Sequence, residues 1–489
     1  MSKYFIGIDI GTSETKAIAI NENAEIVAQA STSHGINILK NGWIEQDANK
    51  IYWDDFRKTV SQILKSVDNV NAIGISGLSP CLVPIDSNGE PVRDSIIYMD
   101  RRGDKEAKKL EEELGMNEVI KITGNAPSSF FGGYKLAWFI NNEPENYKRT
   151  WKVLDASKYI VYKLTGMAVM DEVSASLFAP YFDMNKNSWS YEIDKVLGGG
   201  TEKLPEICRA GDVVGYVTND AAGKTGLPEG TPVIAGSTDA AMAAYSSGVT
   251  NVGDSCIIYG STGLWMTVTN IAKYDYRLIN SKYLWGNTIS GSVLTFGSLL
   301  KWFAENVLKK NVSILKDLDL EAENIPPGSE GIITLPYFMG ERTPIWDPNI
   351  RGMIIGLSIS HTRGSVYRSL LEGVSFGLRQ SIDVAKEMGI KINVMKSIGG
   401  GAKSRIWRQI VSDVTGIRQE YVYPNYGAAF GTAFLAANTI GVFKDPAEIK
   451  NYVKIVDVNI PNESLMNIYS KIYSRYLKLY PTMKMILGD

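Results

Sequence analysis

Two stretches of this sequence, Tyr4–Ile20 (YFIGIDIGTSETKAIAI) and Ser255–Thr269 (SCIIYGSTGLWMTVT), share one pattern. Each reads as a β-strand, a tight turn of glycine and small hydroxyl residues, and a second strand. In the first copy Tyr4, Ile6, Ile8 and Ile10 alternate on one face, Gly11-Thr12-Ser13 turn the chain, and Lys16–Ile20 resumes the apolar run. In the second, Ser255–Tyr259 and Leu264–Thr269 flank Gly260-Ser261-Thr262-Gly263. Glycine lets the backbone approach a ligand, and N–H groups with short hydroxyls suit phosphate oxygens. Asp9, at the end of the first strand, is placed to hold a Mg²⁺ that bridges such phosphates. Two copies, one near the start of each half, predict two similar domains facing each other with a nucleotide in the cleft between them. The boundary falls near Gly248, giving an N-terminal domain over 1–247 and a C-terminal domain over 248–489.

The chain has 489 residues, more than one hydrophobic core organises, which agrees with two domains. Lys+Arg 51 against Asp+Glu 53 leaves a formal net charge of −2, so no basic excess points to nucleic acid or an anionic membrane. Three cysteines, Cys81, Cys208 and Cys256, lie far apart without a CxxC, which excludes a disulfide framework and a cysteine zinc site and suits a reducing cytosol. With His34 and His361 the only histidines, a general base is expected to be a carboxylate. The opening MSKYFIGIDIG enters a strand at once, without the pattern of a secretory leader, and no apolar run is long enough to cross a bilayer; a cytoplasmic protein is expected.

Between and after the two hairpins, strands and helices alternate as in an α/β protein. Val70–Ser76 reads as a central strand ending at Gly77-Leu78-Ser79-Pro80, which puts Ser79 at a strand end, where such folds bind ligands. Asp94–Met99 reads as a strand running into Asp100-Arg101-Arg102, and Asp155–Leu164 as a helix. Val233–Ser237 is a short strand leading into the helix Ala240–Ser247. Asp239, at that junction, is placed both to act chemically and to cap the helix. Ala222-Gly223-Lys224-Thr225 imitates the end of a Walker loop, but Thr218 stands where glycine is needed and Lys224 runs into a turn, so it is rejected. Helices are expected over Ala48–Ser66, Leu299–Leu308, Ser365–Glu387, Ser404–Thr415 and, rich in Gly and Ala, Asn425–Thr439. Gly399-Gly400-Gly401-Ala402, at a strand-to-helix turn, allows a flat ligand or a phosphate to approach the backbone.

Asp9-Ile10-Gly11-Thr12-Ser13, Trp43–Asp47, Asp100 with Arg102, Lys135 with Trp138, Asp239, Gly260–Gly263, the Gly340-Glu341-Arg342-Thr343-Pro344 loop, Gly356 through Glu372-Gly373, and Gly399–Ala402 succeed one another in an order that resembles the FGGY carbohydrate kinase family, from about Tyr4 to Gly441. The resemblance implies two actin-like ATPase (ribonuclease H-like) α/β domains flanking a central cleft, and transfer of the ATP γ-phosphate to a hydroxyl of a small sugar. It implies Asp239 as general base, Asp9 as Mg²⁺ ligand, and Gly11, Thr12, Ser13, Lys16, Gly260, Ser261 and Thr262 around the phosphates. Gly400, Gly401 and Ala402 would line the adenosine site; Ser79, Asp100, Arg102 and Asp239 would border the sugar. D-xylulose is the acceptor it favours, with gluconate or another polyol, ketose or aldonate as the alternative, and an actin-like ATPase without sugar transfer as the alternative of another class. Departures sit on the sugar side: Ser79-Pro80 replaces the Met-His pair of xylulose kinases, Tyr98 replaces a usual Trp, and Gly132 stands where Pro, Ser or Thr is usual. GERTPIWD resembles gluconate kinases as much as xylulose kinases. The partner expected is the sugar alone, and a homodimer is compatible with the sequence.

Overall fold

The computed structural model describes residues 2–39, 42–270 and 274–487. Strands β1 (Tyr4–Ile10), β2 (Glu14–Asn21), β3 (Ile26–Ser33), β4 (Val70–Gly77), β5 (Val213–Tyr216) and β6 (Pro232–Ile234) form one sheet in the order β5-β6-β4-β1-β2-β3. The β1–β2 and β2–β3 pairs are antiparallel, whereas β4 runs parallel to β1 and β6 parallel to β4. Period-two alternation explains the burial of β1 on both faces. Ile6, Ile8 and Ile10 join Phe56, Val60, Tyr159 and Ile160 in one core; Phe5 joins Ala72, Ile234, Ala429 and Ala433 in another. Each such buried isoleucine is worth about 1.5–3 kcal/mol.

The second sheet repeats the plan. Strands β7 (Ser255–Tyr259), β8 (Gly263–Thr269), β9 (Ile279–Tyr283), β10 (Gly286–Val293), β11 (Val394–Ile398), β12 (Arg418–Val422) and β13 (Ile455–Asn459) lie in the order β9-β10-β8-β7-β11-β12-β13. Again an antiparallel hairpin, β7–β8, is joined by parallel neighbours, β11 beside β7 and β12 beside β11. Helices Arg363–Glu387, Arg405–Thr415 and Glu463–Tyr476 supply much of its core through Leu370, Val374, Ile410, Val411 and Tyr469.

The packing forms two compact units, neither of them contiguous: Met1–Thr250 with Ser281–Asn287 and Tyr426–Tyr452, and Asn251–Asn280 with Thr288–Asn425 and Val453–Asp489. The Gly/Ala-rich helix, observed over Gly427–Thr439, therefore belongs with the first sheet. Two glycines make this possible. A Cβ on Gly7 would stand 2.0 Å from the Ala429 carbonyl oxygen, and one on Gly431 would stand 2.5 Å from that of Met242, so both contacts are backbone against backbone.

Other elements depart locally from expectation. Only Ser95–Ile96 of the anticipated strand Asp94–Met99 pairs, because the chain turns to bring Asp100 onto the Ile44 N–H. The helix expected over Ala48–Ser66 starts as a wide π-type turn, Ala48–Trp53, before regular helix Asp54–Ile63, and the one expected over Leu299–Leu308 ends in a similar turn, Phe303–Val307. Lys224 ends the short helix Asn219–Thr225 in an exposed pair with Asp220. Among the described residues no helix is long and apolar enough to cross a membrane.

Candidate active site

In the first unit, parallel pairing sets Asp9 opposite Ser76, whose Oγ lies 3.0 Å from Asp9 Oδ1. Antiparallel pairing sets Asp9 opposite Lys16, which pairs at 2.8 Å with Glu14 and stays half exposed. Gly11, Thr12 and Ser13 form the turn between β1 and β2. Their carbonyls are held from behind: Gly11 O by His34 Nε2 at 2.9 Å, Thr12 O by Gln46 Nε2 at 3.0 Å, and Ser13 O by the His34 N–H at 2.8 Å. His34 in turn sits 3.2 Å from the Asp55 carboxylate through Nδ1. The turn is thus anchored while Ser13 remains exposed.

Asp239 is the first residue of the helix Asp239–Ser246. Thr238, not Asp239, caps that helix through the Ala241 N–H, and the Asp239 carboxylate accepts from the Ala240 N–H at 2.7 Å. The segment before it lies beside β4: Gly77 N–H donates to Ser237 O, and Gly77 pairs with Thr238. Burial, then the charge of Asp9, push Asp239 up to about 7. Burial likewise pushes Asp9 up to about 6, against the Ser76 bond and the Lys16 charge. Two carboxylates of raised pKa, both partly open to solvent, leave negative charge uncompensated. Such carboxylates can accept a proton or ligate a hard cation. Among the described residues no group of three or more His, Cys, Asp or Glu could cage a metal. The Asp9 carboxylate, partly open to solvent, fits Mg²⁺, which takes one or two carboxylates with water and substrate phosphates.

Sequence reasoning missed what fixes Asp239. Lys158, fully buried, forms an ion pair with Asp171 Oδ1 at 2.9 Å and donates to the carbonyls of Ala235 at 2.7 Å and Gly236 at 3.2 Å. Asp171 Oδ2 accepts from the Ser237 hydroxyl at 2.8 Å. Burial opposes the charge of Lys158, but Asp171 and Asp155 outweigh it and raise its pKa. The segment Ala235–Ser237 that leads to Asp239 is thus clamped by a buried ion pair. Gly236 completes the fit: its φ is +64°, and a Cβ there would stand 1.7 Å from Ile75 O. Two charged residues inside otherwise apolar segments were the available signal.

Of the sugar-side candidates, Asp100 and Arg102 form a second cluster, with Glu45, Trp43 and Trp138. Ser79 comes directly after Leu78, whose N–H donates to Ile10 O at the end of β1. Arg102 grips Asp100 with Nε and Nη2 at 2.8 and 2.7 Å and reaches Glu45 at 2.7 Å. Its guanidinium lies 4.2 Å over Trp43 and 4.8 Å over Trp138. Burial works against ionising Asp100, yet the Arg102 and Ile44 bonds outweigh it and hold the carboxyl below the ordinary range. Asp100 is wholly buried and committed to these bonds. The buried Ser79 Oγ and Arg102 Nη1 have no hydrogen-bond partner among the described residues.

In the second unit, Gly260, Ser261 and Thr262 join β7 to β8, with Ser261 exposed. Gly399, at φ +95°, turns the chain after β11; a Cβ there would meet Tyr259 O at 2.8 Å. Gly400 is exposed, Gly401 lies over the Trp407 ring, and Ala402 is buried with its carbonyl on Arg408. One aromatic group underlies both turns, since Trp407 stacks on Phe296 at 4.4 Å and meets Tyr259 edge-on at 5.1 Å.

Two sheets with the same hairpin-then-parallel order, each with a glycine–hydroxyl turn, define the actin-like, ribonuclease H-like ATPase fold, here in two domains. The chain belongs to the FGGY family of carbohydrate kinases: the family's N-terminal domain matches residues 4–246 and its C-terminal domain residues 256–440. It is an ATP-dependent sugar kinase. It is 30% identical to the xylulose kinase of Staphylococcus xylosus, over 96% of this chain and 99% of that one. The crystal structure of xylulose kinase from Rhodospirillum rubrum is 29% identical, covers 99% of both chains and superposes with a TM-score of 0.90. The gluconate kinase structure from Lactobacillus acidophilus, at 24% identity, 99% and 98% coverage and a TM-score of 0.91, shares the fold.

Proposed function

We propose that this kinase transfers the ATP γ-phosphate to a hydroxyl of a small neutral ketose, D-xylulose in the first place. The observation that carries the reaction is a pair of carboxylates of raised pKa in one unit: Asp9 near the end of β1, raised by burial, and Asp239 at the start of the helix that follows β6, raised by burial and by the charge of Asp9. Asp239 accepts the hydroxyl proton as the new O–P bond forms and the bond from the γ-phosphorus to the bridging oxygen breaks, releasing ADP. Asp9 would hold Mg²⁺, which supplies charge neutralisation for the phosphates. Gly11–Ser13, Lys16 and Gly260–Thr262 would contact the phosphates through N–H, hydroxyl and ammonium groups, and Gly400–Ala402 the adenosine. In chain order the domains divide near Gly248, with the helix Gly427–Thr439 returning to the first. The free thiols Cys81, Cys208 and Cys256 suit a reducing cytoplasm.

The sugar-side cluster supports a neutral acceptor. Asp100 and Glu45 already neutralise the Arg102 charge, so what it offers is one N–H, with the Ser79 hydroxyl as the second unfilled group. Two such groups suit sugar hydroxyls; the carboxylate of an aldonate would meet acidic neighbours instead. An ADP-release screen over ketopentoses, ketohexoses, polyols and aldonates tests this. D-xylulose should give the highest kcat/KM, and gluconate as the preferred acceptor would overturn it.

A further inference from the structure

The loop Gly340-Glu341-Arg342-Thr343-Pro344 has no role in the chemistry above, yet Glu341 is only 2% exposed. Its carboxyl oxygens lie 3.2 and 3.3 Å from the Leu294 N–H, and Oε1 also accepts from the Arg342 N–H at 2.8 Å. Two residues on, Thr343 Oγ1 accepts from the Ser292 N–H at 2.6 Å and lies 3.2 Å from Ser292 O. The loop is itself closed by the Glu341 N–H donating to Asp347 O at 2.9 Å. It therefore clips the end of β10 at two alternate residues.

Beyond β10 the chain becomes a strap, Leu294–Ser298, that lies along the second phosphate turn. Leu294 O accepts from Thr262 Oγ1 at 3.1 Å. Phe296 N–H and Ser298 N–H both donate to Ser261 O at 3.1 Å, Ser298 Oγ adds a third bond at 3.0 Å, and Gly297 N–H donates to Gly260 O at 3.0 Å. Nothing larger than glycine fits at two contacts. A Cβ on Gly297 would come 2.6 Å from Gly260 O, and one on Gly263 would come 2.5 Å from the Phe296 ring. The Phe296 ring also stacks on Trp407, which lies against Gly401. Strap and turn thus form one hydrogen-bonded piece, and the Glu341 carboxyl is its tie to the loop.

We propose that Glu341 is a positioning residue: by accepting the Leu294 N–H it fixes the strap and through it the Gly260–Thr262 turn that receives the nucleotide phosphates. The last part rests on the reading of that turn as a phosphate contact. Its burial, outweighing the Arg342 N–H and charge, pushes Glu341 up to about 8, so an uncharged acceptor at this position retains the function. Glutamine, with its amide oxygen, is such an acceptor, whereas alanine removes the acceptor that the Leu294 N–H meets.

Three variants of the full chain test this: Glu341→Ala, Glu341→Gln and Ser298→Ala. Mg·ADP affinity is measured by calorimetry, KM for sugar and ATP by ADP release, and amide exchange by mass spectrometry. Glu341→Ala should weaken ADP binding about tenfold, the equivalent of one lost hydrogen bond. Exchange should accelerate over 294–298 and 260–263 but not within Arg363–Glu387, while the sugar KM stays within about twofold. Glu341→Gln should stay within about twofold of wild type throughout, and Ser298→Ala should weaken ADP about two- to threefold. Unchanged ADP affinity and exchange in Glu341→Ala would overturn the proposal, as would Glu341→Gln as impaired as Glu341→Ala. If Glu341→Ala does not fold, Ser298→Ala decides, and wild-type ADP affinity there counts against the strap. A wild-type chain that binds no ADP refutes the phosphate reading, and the exchange data then decide the strap alone.

Discussion

Replacing Asp239 by asparagine should move activity and stability in opposite directions. Asparagine keeps the acceptor that meets the Ala240 N–H but cannot take a proton, so sugar phosphorylation should fall about 10²–10⁴-fold while ATP still binds. The stability effect comes from the raised pKa, about 7 in the folded protein against 3.8 ordinarily. The folded state holds this proton more tightly than the unfolded one, so its stabilising effect is full below about pH 4 and is lost as pH rises through about 7. The complete linkage is about 4 kcal/mol. Asp9 shares it and solvent reaches both groups, so about 1–3 kcal/mol should be regained by Asp239→Asn at pH 8, and less at pH 5. Urea denaturation of both proteins at the two pH values, without divalent metal, measures this. A variant no more stable than wild type at pH 8 refutes the electrostatic account of the pair, and near-normal turnover removes Asp239 as the base.

Three further outcomes test other parts of the fold and site. Lys158→Met, which leaves Asp171 without its buried cation, should cost about 3–5 kcal/mol in urea denaturation, and Lys158→Met/Asp171→Asn should recover most of it; equal losses in the two would count against the clamp. Gly7→Ala, whose methyl meets Ala429 O, should lower stability by about 3 kcal/mol in thermal unfolding, whereas Gly223→Ala, with nothing within 4 Å, should cost nothing. Asp9→Ala should raise the Mg²⁺ needed for half-maximal turnover about tenfold or more with the sugar KM nearly unchanged, and an unchanged metal titration would remove Asp9 as the ligand.

The phosphate-side candidates were legible because each is written in a few consecutive residues. A period-two strand, a glycine and two hydroxyls announce a hairpin, and the hairpin recurs at β7–β8. Asp239 stood out as a carboxylate at a strand-to-helix junction, though the capping work proved to belong to Thr238, one residue earlier. The return of Gly427–Thr439 to the first sheet was not legible. Alanine and glycine show that a helix packs closely but not on what; the complementary Gly7 lies more than 400 residues away. Lys158 and Asp171 were missed because a charge within a helix or strand reads as solvent-facing until its buried partner is located.

The proposed acceptor side resists reading for a geometrical reason that also bears on where specificity would reside. The groups proposed for it come from separated stretches: Ser79 on its own, and a cluster of Trp43 with Glu45, Asp100 with Arg102, and Trp138. Their spacing in the sequence carries no signal, since only the fold stacks two tryptophans on one guanidinium. These proposed groups are unequal. Arg102, Asp100 and Glu45 satisfy one another with bidentate and shared bonds, so changing any of them leaves a buried charge exposed to loss of its partner. Ser79 carries no charge, and its hydroxyl has no partner among the described residues to lose. Substitution there alters what a sugar meets at low structural cost, and this is the position at which the sequence departs from the Met-His pair of xylulose kinases. A change of acceptor within this architecture is therefore expected to run through Ser79 and its neighbour Pro80, with the Arg102 cage retained as scaffold.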